Sequence, residues 1–191
     1  IAIAHLHGGE LTEGAMDDSI RHAITKMSHL HFVAAEPYRQ RGIQLGERPD
    51  RVFNVGSPGL DNIKKIKLLK REEFEKAIDF KLGRINFLVT YHPVTLCQEG
   101  PEKAMQALFK AIDEFPSSHI IFTMPNSDMG NKIIGQMIDS YVKNNPGRAK
   151  SFISLGQLRY MSAITNVNIV LGNSSSGLME VPLFNKPTVN I

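Results

Sequence analysis

Cysteine is almost missing: Cys97 is the single one in 191 residues. No internal disulfide framework is therefore possible, and the expectation is a spectator thiol in a reducing, cytoplasmic setting. Long apolar runs are missing too. None approaches the roughly 20 residues that cross a bilayer, and no signal-peptide pattern opens the sequence, so no membrane partner is expected. Charge of one sign is scarce, with 22 Lys+Arg against 19 Asp+Glu leaving +3. The densest basic run, Lys64-Lys65-Ile66-Lys67-Leu68-Leu69-Lys70-Arg71, has no interleaved aromatic residues. It reads as a solvated helix face or linker, and no nucleic-acid partner is expected. Internal repeats and low-complexity segments are also lacking.

What is there is a hydrophobic fraction of 42%, enough to bury a real core. Both ends, Ile1-Ala2-Ile3-Ala4 and Thr188-Val189-Asn190-Ile191, are apolar and strand-like without a cap or polar tail. The expectation is a piece of a longer protein. Strands are expected at Ile1–Ala4, Leu30–Ala35, Arg51–Val55, Ile85–Thr90, His119–Met124, Ser151–Ile153, Asn168–Leu171 and Thr188–Ile191. They alternate with helices expected near Pro37–Leu45, Arg71–Leu82, Pro101–Phe115, Asn131–Lys143, Leu155–Thr165 and Gly177–Phe184, an order that implies right-handed βαβ crossovers and parallel sheets. The first helix starts at Asp17 or Asp18 and runs to about His29. Its residues Ile20, Ala23, Ile24 and Met27 follow the i, i+3, i+4, i+7 spacing and are expected to face the core. The cluster Gly56-Ser57-Pro58-Gly59 and the basic stretch after it mark the expected domain boundary, 1–57 against 58–191.

In parallel sheets, ligands bind beyond the carboxyl ends of the strands. Four polar, turn-rich patches follow predicted strands: His5-Leu6-His7-Gly8-Gly9-Glu10, Tyr91-His92-Pro93-Val94-Thr95, Met124-Pro125-Asn126-Ser127-Asp128, and Gly172-Asn173-Ser174-Ser175-Ser176-Gly177-Leu178-Met179-Glu180. Together they suggest a cleft between two domains. The last patch reads either as a Ser N-cap or as an anion cradle of amides, hydroxyls and helix dipole at Ser174 and Ser175. Glu180 behind it suits sugar hydroxyls and not a phosphate. His92 is either a loop histidine or a donor beside a phosphate. Asn126 either contacts a ribose or base or belongs to a turn. His5, His7 and Glu10 invite a metal reading, but no second ligand cluster supports one, and no metal is expected. Asp17, Asp18, Arg21 and His22 are either a helix cap with an Asp17–Arg21 pair or a carboxylate base tuned by a cation and an imidazole. On the second reading Glu10 and Asp18 form an acid/base pair.

These patches, with Leu11-Thr12-Glu13-Gly14 and Asp17-Asp18-Ser19-Ile20-Arg21-His22-Ala23-Ile24-Thr25-Lys26, occur in an order that resembles the hydrolysing UDP-N-acetylglucosamine 2-epimerases of sialic acid biosynthesis. The likeness runs over essentially the whole chain. It implies an α/β, GT-B-like architecture of two Rossmann-type domains with parallel sheets, here as a truncated fragment inactive by itself. It also implies a UDP-sugar substrate, no cofactor, and a homodimer or homotetramer. By motif matching, Ser174 and Ser175 hold the pyrophosphate beside His92, Glu180 binds the ribose and Asn126 the uridine side. Glu10 and Asp18 transfer protons, supported by Arg21 and His22. His7 departs from relatives that carry an acid there. Three alternatives stay open: the UDP-N,N′-diacetylbacillosamine 2-epimerases of legionaminic acid biosynthesis, a non-hydrolysing epimerase, and a nucleotide-sugar-binding module without catalysis.

Overall fold

The computed structural model describes residues 1–12, 16–93, 100–126 and 130–191. The expectations on Cys97, Val94, Thr95, Ser127, Asp128, Glu13 and Gly14 lie outside the described residues. The chain divides into two compact units, Ile1–Lys65 and Ile66–Ile191. The division falls later than the sequence boundary after Ser57, because the Pro58 segment forms a helix grouped with the first unit.

The first unit carries β1 (Ala4–Leu6), α1 (Asp17–Met27), β2 (Leu30–Val33), α2 (Glu36–Gln44), a 3₁₀ turn at Pro49–Arg51, β3 (Val52–Asn54) and α3 (Pro58–Ile63). Pro58 opens α3 at a position where its missing N–H costs nothing. The strands are parallel in the order β1-β2-β3. Register places His5, His31 and Val52 in one cross-strand row and Leu6, Phe32 and Phe53 in the next. The first row meets the helices: His5 Nδ1 lies 3.1 Å from Thr25 Oγ1 of α1, and Gly42 of α2 sits against Val52. The second row is more open, with the Phe32 and Phe53 rings stacked at 5.5 Å.

Helix α1 corrects the sequence reading. Ile20, Ile24 and Met27 are 53%, 37% and 62% exposed, Ala23 is exposed, and Thr25 is the buried residue. Hydrogen bonds from Arg21 to the chain at Glu10 and Thr12, and between Thr25 and His5, anchor the polar side and turn the apolar stripe outward. Periodicity identifies a stripe but not what covers it.

The second unit carries α4 (Arg71–Ile78), β4 (Ile85–Thr90), α5 (Pro101–Asp113), β5 (Ser118–Thr123), α6 (Asn131–Asn144), β6 (Ala149–Phe152), α7 (Gly156–Asn166), β7 (Ile169–Gly172), α8 (Ser176–Met179), a 3₁₀ turn at Val181–Phe184 and β8 (Thr188–Asn190). Its parallel sheet runs β6-β5-β4-β7-β8. Val89, Met105, Ile112, Phe122, Ile134 and Ile138 form one face of the core, each at most 1% exposed. Leu88, Ile121 and Ile164 are buried completely as well. The order of connection reverses between β4 and β7. Strand ends diverge at such a switch point and leave a crevice.

Candidate functional site

In the second unit, a cavity of about 450 Å³ opens at that crevice. Its walls come from the carboxyl ends of four strands: Thr90 after β4, Thr123 and Met124 after β5, Ile153 to Gln157 after β6, and Ser174 to Ser176 after β7. His92, Tyr160 and Glu180 complete it. The sequence-named residues His92, Ser174, Ser175 and Glu180 are thus brought together. Asn126 is not in the lining; its backbone N–H donates to His92 Nδ1 at 3.2 Å. A ring nitrogen that accepts must lack a proton, so neutral His92 carries its proton on Nε2.

The β7–α8 loop is held by the main chain. Gly172 adopts φ +133°, and any Cβ there would strike the carbonyl oxygen of Thr90. Asn173 then clamps His92, accepting from its N–H at 2.7 Å and donating to its carbonyl at 2.8 Å. The helix that follows is one α-turn, not the Gly177–Phe184 helix expected. Pro182 lacks the N–H that would continue the α ladder, and the segment goes on as 3₁₀. A single turn has little dipole, and Ser175 makes no side-chain cap. The anion-binding capacity rests instead on hydroxyls and on the Ser174 and Ser175 amides, which have no acceptor among the described residues.

Two more hydroxyls belong to the lining, Ser176 of the serine patch and Tyr160, which sequence reasoning missed. Ser176 is 8% exposed, and neither its Oγ nor the Tyr160 phenol oxygen has a hydrogen-bond partner among the described residues. Burial pushes the Tyr160 phenol above its usual range, and the Glu180 charge adds to this. The nearby hydroxyls of Ser176, Thr90 and Ser174 oppose the shift. Tyr160 therefore remains a proton-bearing donor. Nothing in the sequence distinguished it from a core aromatic on α7.

In the first unit, Arg21 organises the carboxylates. Its Nη1 donates to Asp18 Oδ1 at 3.1 Å and to the Glu10 carbonyl at 3.0 Å, and its Nη2 donates to Thr12 Oγ1 at 3.0 Å. Asp18 also accepts from the Thr12 N–H at 2.8 Å. The ion pair is Asp18–Arg21, not the expected Asp17–Arg21; Asp17 is exposed. Glu10 Oε1 lies 2.7 Å from His7 Nδ1. His22 Nδ1 is buried without a partner among the described residues. Burial lowers the pKa of His5, and the charges of His31, Arg21 and His7 lower it further. No group of three or more potential metal ligands occurs among the described residues, and no helix there is long and apolar enough to cross a membrane.

A parallel sheet with a hydroxyl-lined crevice at its switch point is the architecture of nucleotide-binding α/β proteins. The model of the UDP-N-acetylglucosamine 2-epimerase family matches residues 1–191, and the chain belongs to that family. It is 44% identical over 191 residues to the GDP/UDP-N,N′-diacetylbacillosamine 2-epimerase (hydrolyzing) of Campylobacter jejuni, covering all of this chain and 50% of that one. It is 39% identical to the polysialic acid biosynthesis protein P7 of Escherichia coli, covering 100% of this chain and 48% of that protein. The crystal structure of UDP-GlcNAc 2-epimerase from Neisseria meningitidis bound to UDP-GlcNAc superposes with a TM-score of 0.78 at 16% identity, over 100% of this chain and 53% of that one. The fold is α/β and GT-B-like, and the chain spans about half the length of the relatives it matches.

Proposed function

We propose that the protein carrying this chain is a hydrolysing UDP-sugar 2-epimerase. The observation that carries this reading is the hydroxyl-lined cavity at the switch point, in a chain that matches the family from end to end. Ser174, Ser175 and His92 are assigned to a diphosphate, and Glu180 to ribose hydroxyls. Asn126, beside His92, is assigned to the uridine side. In the first unit, Arg21 fixes Asp18 and the Glu10 backbone, and His22 supports that cluster.

The chemistry requires a carboxylate to take the C2 proton as the C1–O bond breaks. The C–H pair becomes the C1=C2 bond of a glycal, and the C1–O pair leaves with UDP. Water then adds at C1 and a proton at C2 from the opposite face, giving free 2-epimerised sugar and UDP. Asp18 is the group assigned to the C2 proton, and Glu10 is assigned to the hydration step. Donors aimed at the departing charge contribute as much as the base, since one such donor is worth on the order of 10²–10³ in rate.

A product assay in deuterated water on the full-length protein tests the reading. Free UDP and deuterium at C2 of the released sugar are expected, and a UDP-linked product would sink it. For the sugar, we favour UDP-N-acetylglucosamine with N-acetylmannosamine as product. The 44% identity to the Campylobacter enzyme supports UDP-N,N′-diacetylbacillosamine as the second reading. The ratio of kcat/KM for the two substrates decides between them. We also assign a homodimer or homotetramer in the cytoplasm, tested by light scattering of the full-length protein and by cell fractionation.

A further inference from the structure

We propose that His7 is a catalytic base for the water that adds to the sugar, with Glu10 acting through it. The inference rests on the hydrolysing reading above. His7 holds φ +62°, a left-handed backbone that disfavours a residue with a side chain and persists only where the surroundings enforce it. Here they do. The His7 N–H donates to the Phe32 carbonyl of β2 at 2.9 Å. Two residues on, Gly9 at φ +77° packs so closely on the Tyr38 carbonyl that no Cβ would fit, and Arg41 Nη1 donates to the Gly9 carbonyl. Residues 7–9 are therefore locked from β2 and α2, with His7 held in the left-handed region.

What that backbone achieves is the placement of the ring. Nδ1 lies 2.7 Å from Glu10 Oε1, while the His7 side chain remains 35% exposed. A carboxylate can only accept, so Nδ1 carries the proton and Nε2 presents a lone pair with no partner among the described residues. This is the carboxylate–imidazole arrangement that turns a histidine into a general base and fixes which nitrogen does the work. In the hydration step, a water oxygen bonds to C1 of the glycal and its proton passes to Nε2. The π pair of C1=C2 takes a proton from solvent at C2, and the imidazolium returns its proton to solvent. Atoms and charge balance, and Glu10 never leaves its carboxylate form.

The test uses the full-length protein with UDP-N-acetylglucosamine. His7→Gly suits the left-handed backbone and leaves room for added imidazole. UDP release should continue into a glycal that accumulates, seen as a vinylic proton signal. The steady-state kcat for free sugar should fall about 10²–10³-fold with KM within threefold, and 50 mM imidazole should restore a part of it. A kcat within threefold of wild type with no glycal would overturn the proposal. Independently of any variant, the ¹⁵N shifts of His7 in the unsubstituted protein should report a protonated Nδ1 and a bare Nε2. The opposite tautomer would overturn it as well. Loss of UDP release in the wild type itself would remove the hydrolysing reading and this inference together, whereas a deuterium-labelled product with an unaffected His7→Gly would remove this inference alone.

Discussion

Residues 1–65 and 66–191 hold the polar groups of their candidate sites by different means. In the first unit, two of the side chains buried to within 2% exposure, Thr25 and His31, are polar, and the charged groups fix one another. Arg21 ties Asp18 to the Glu10–Thr12 segment, and Glu47 bridges Lys26 and His31. In the second unit an apolar core of Leu88, Ile120, Ile121 and Phe122, all at 0% exposure, carries the strands whose ends form the cavity. There the hydroxyls of Tyr160 and Ser176 have no hydrogen-bond partner among the described residues. Charged partners position acid/base groups because each stabilises the other's ionised form. Unpartnered donors on a stiff sheet are kept available for a ligand, at a cost in stability.

The contrast can be broken most sharply at the core. Phe122→Ala removes a fully buried ring packed edge-on against Phe109 and Tyr141, and unfolding of the chain in denaturant should show a loss of about 3–5 kcal/mol. Next comes Arg21→Lys in the full-length protein. A single ammonium cannot span Asp18, the Glu10 carbonyl and Thr12 as the guanidinium fork does. Steady-state kcat should fall roughly 10²-fold with UDP affinity retained, since a displacement near 1 Å costs about that much.

Tyr160→Phe sharpens the comparison from the other side. Calorimetric titration should show UDP binding about tenfold weaker, equivalent to about 1.4 kcal/mol, while the melting temperature holds or rises because an unpartnered buried hydroxyl has gone. A drop in both would mean the phenol is structural. The smallest effect is with pH. His5 has its pKa lowered from 6.5, so below that value the unfolded chain takes up a proton that the folded unit resists, and stability falls with falling pH. Glu75 in the second unit is held below its ordinary 4.5: burial pushes it up, but Lys81, the Leu82 N–H and Arg71 outweigh this. Its contribution is lost only as pH falls below 4.5. Hydrogen exchange, corrected for intrinsic rates, should therefore accelerate in residues 1–65 between pH 6.5 and 5 while residues 66–191 keep their protection.

Much of the frame was legible. The run Ile85–Thr90 is β4 to the residue, and Pro101 and Asn131 mark helix starts where expected. Those signals are local: alternation, proline at a first turn, a glycine at a strand end. The gathering of His92, Ser174, Ser175 and Glu180 at one cavity followed from topology, because parallel strands send their loops to one edge. The errors lie where a partner decides. The stripe Ile20, Ile24, Met27 is helical in its spacing, yet the Arg21 and Thr25 hydrogen bonds fix which side turns in. Asn173 carried no assigned role in the sequence, and its reciprocal bonds to His92 join residues 81 positions apart. The left-handed backbone of His7 has no sequence signal apart from the glycines that follow it.

The close pass of Gly172 against Thr90 means that the serine loop takes its position from main-chain atoms of the neighbouring strand. Side chains around it can therefore be exchanged over evolutionary time without shifting the loop. Position 172 itself cannot take part in that drift. Substitutions in the lining thus act above a loop whose course is set by the strand beneath it.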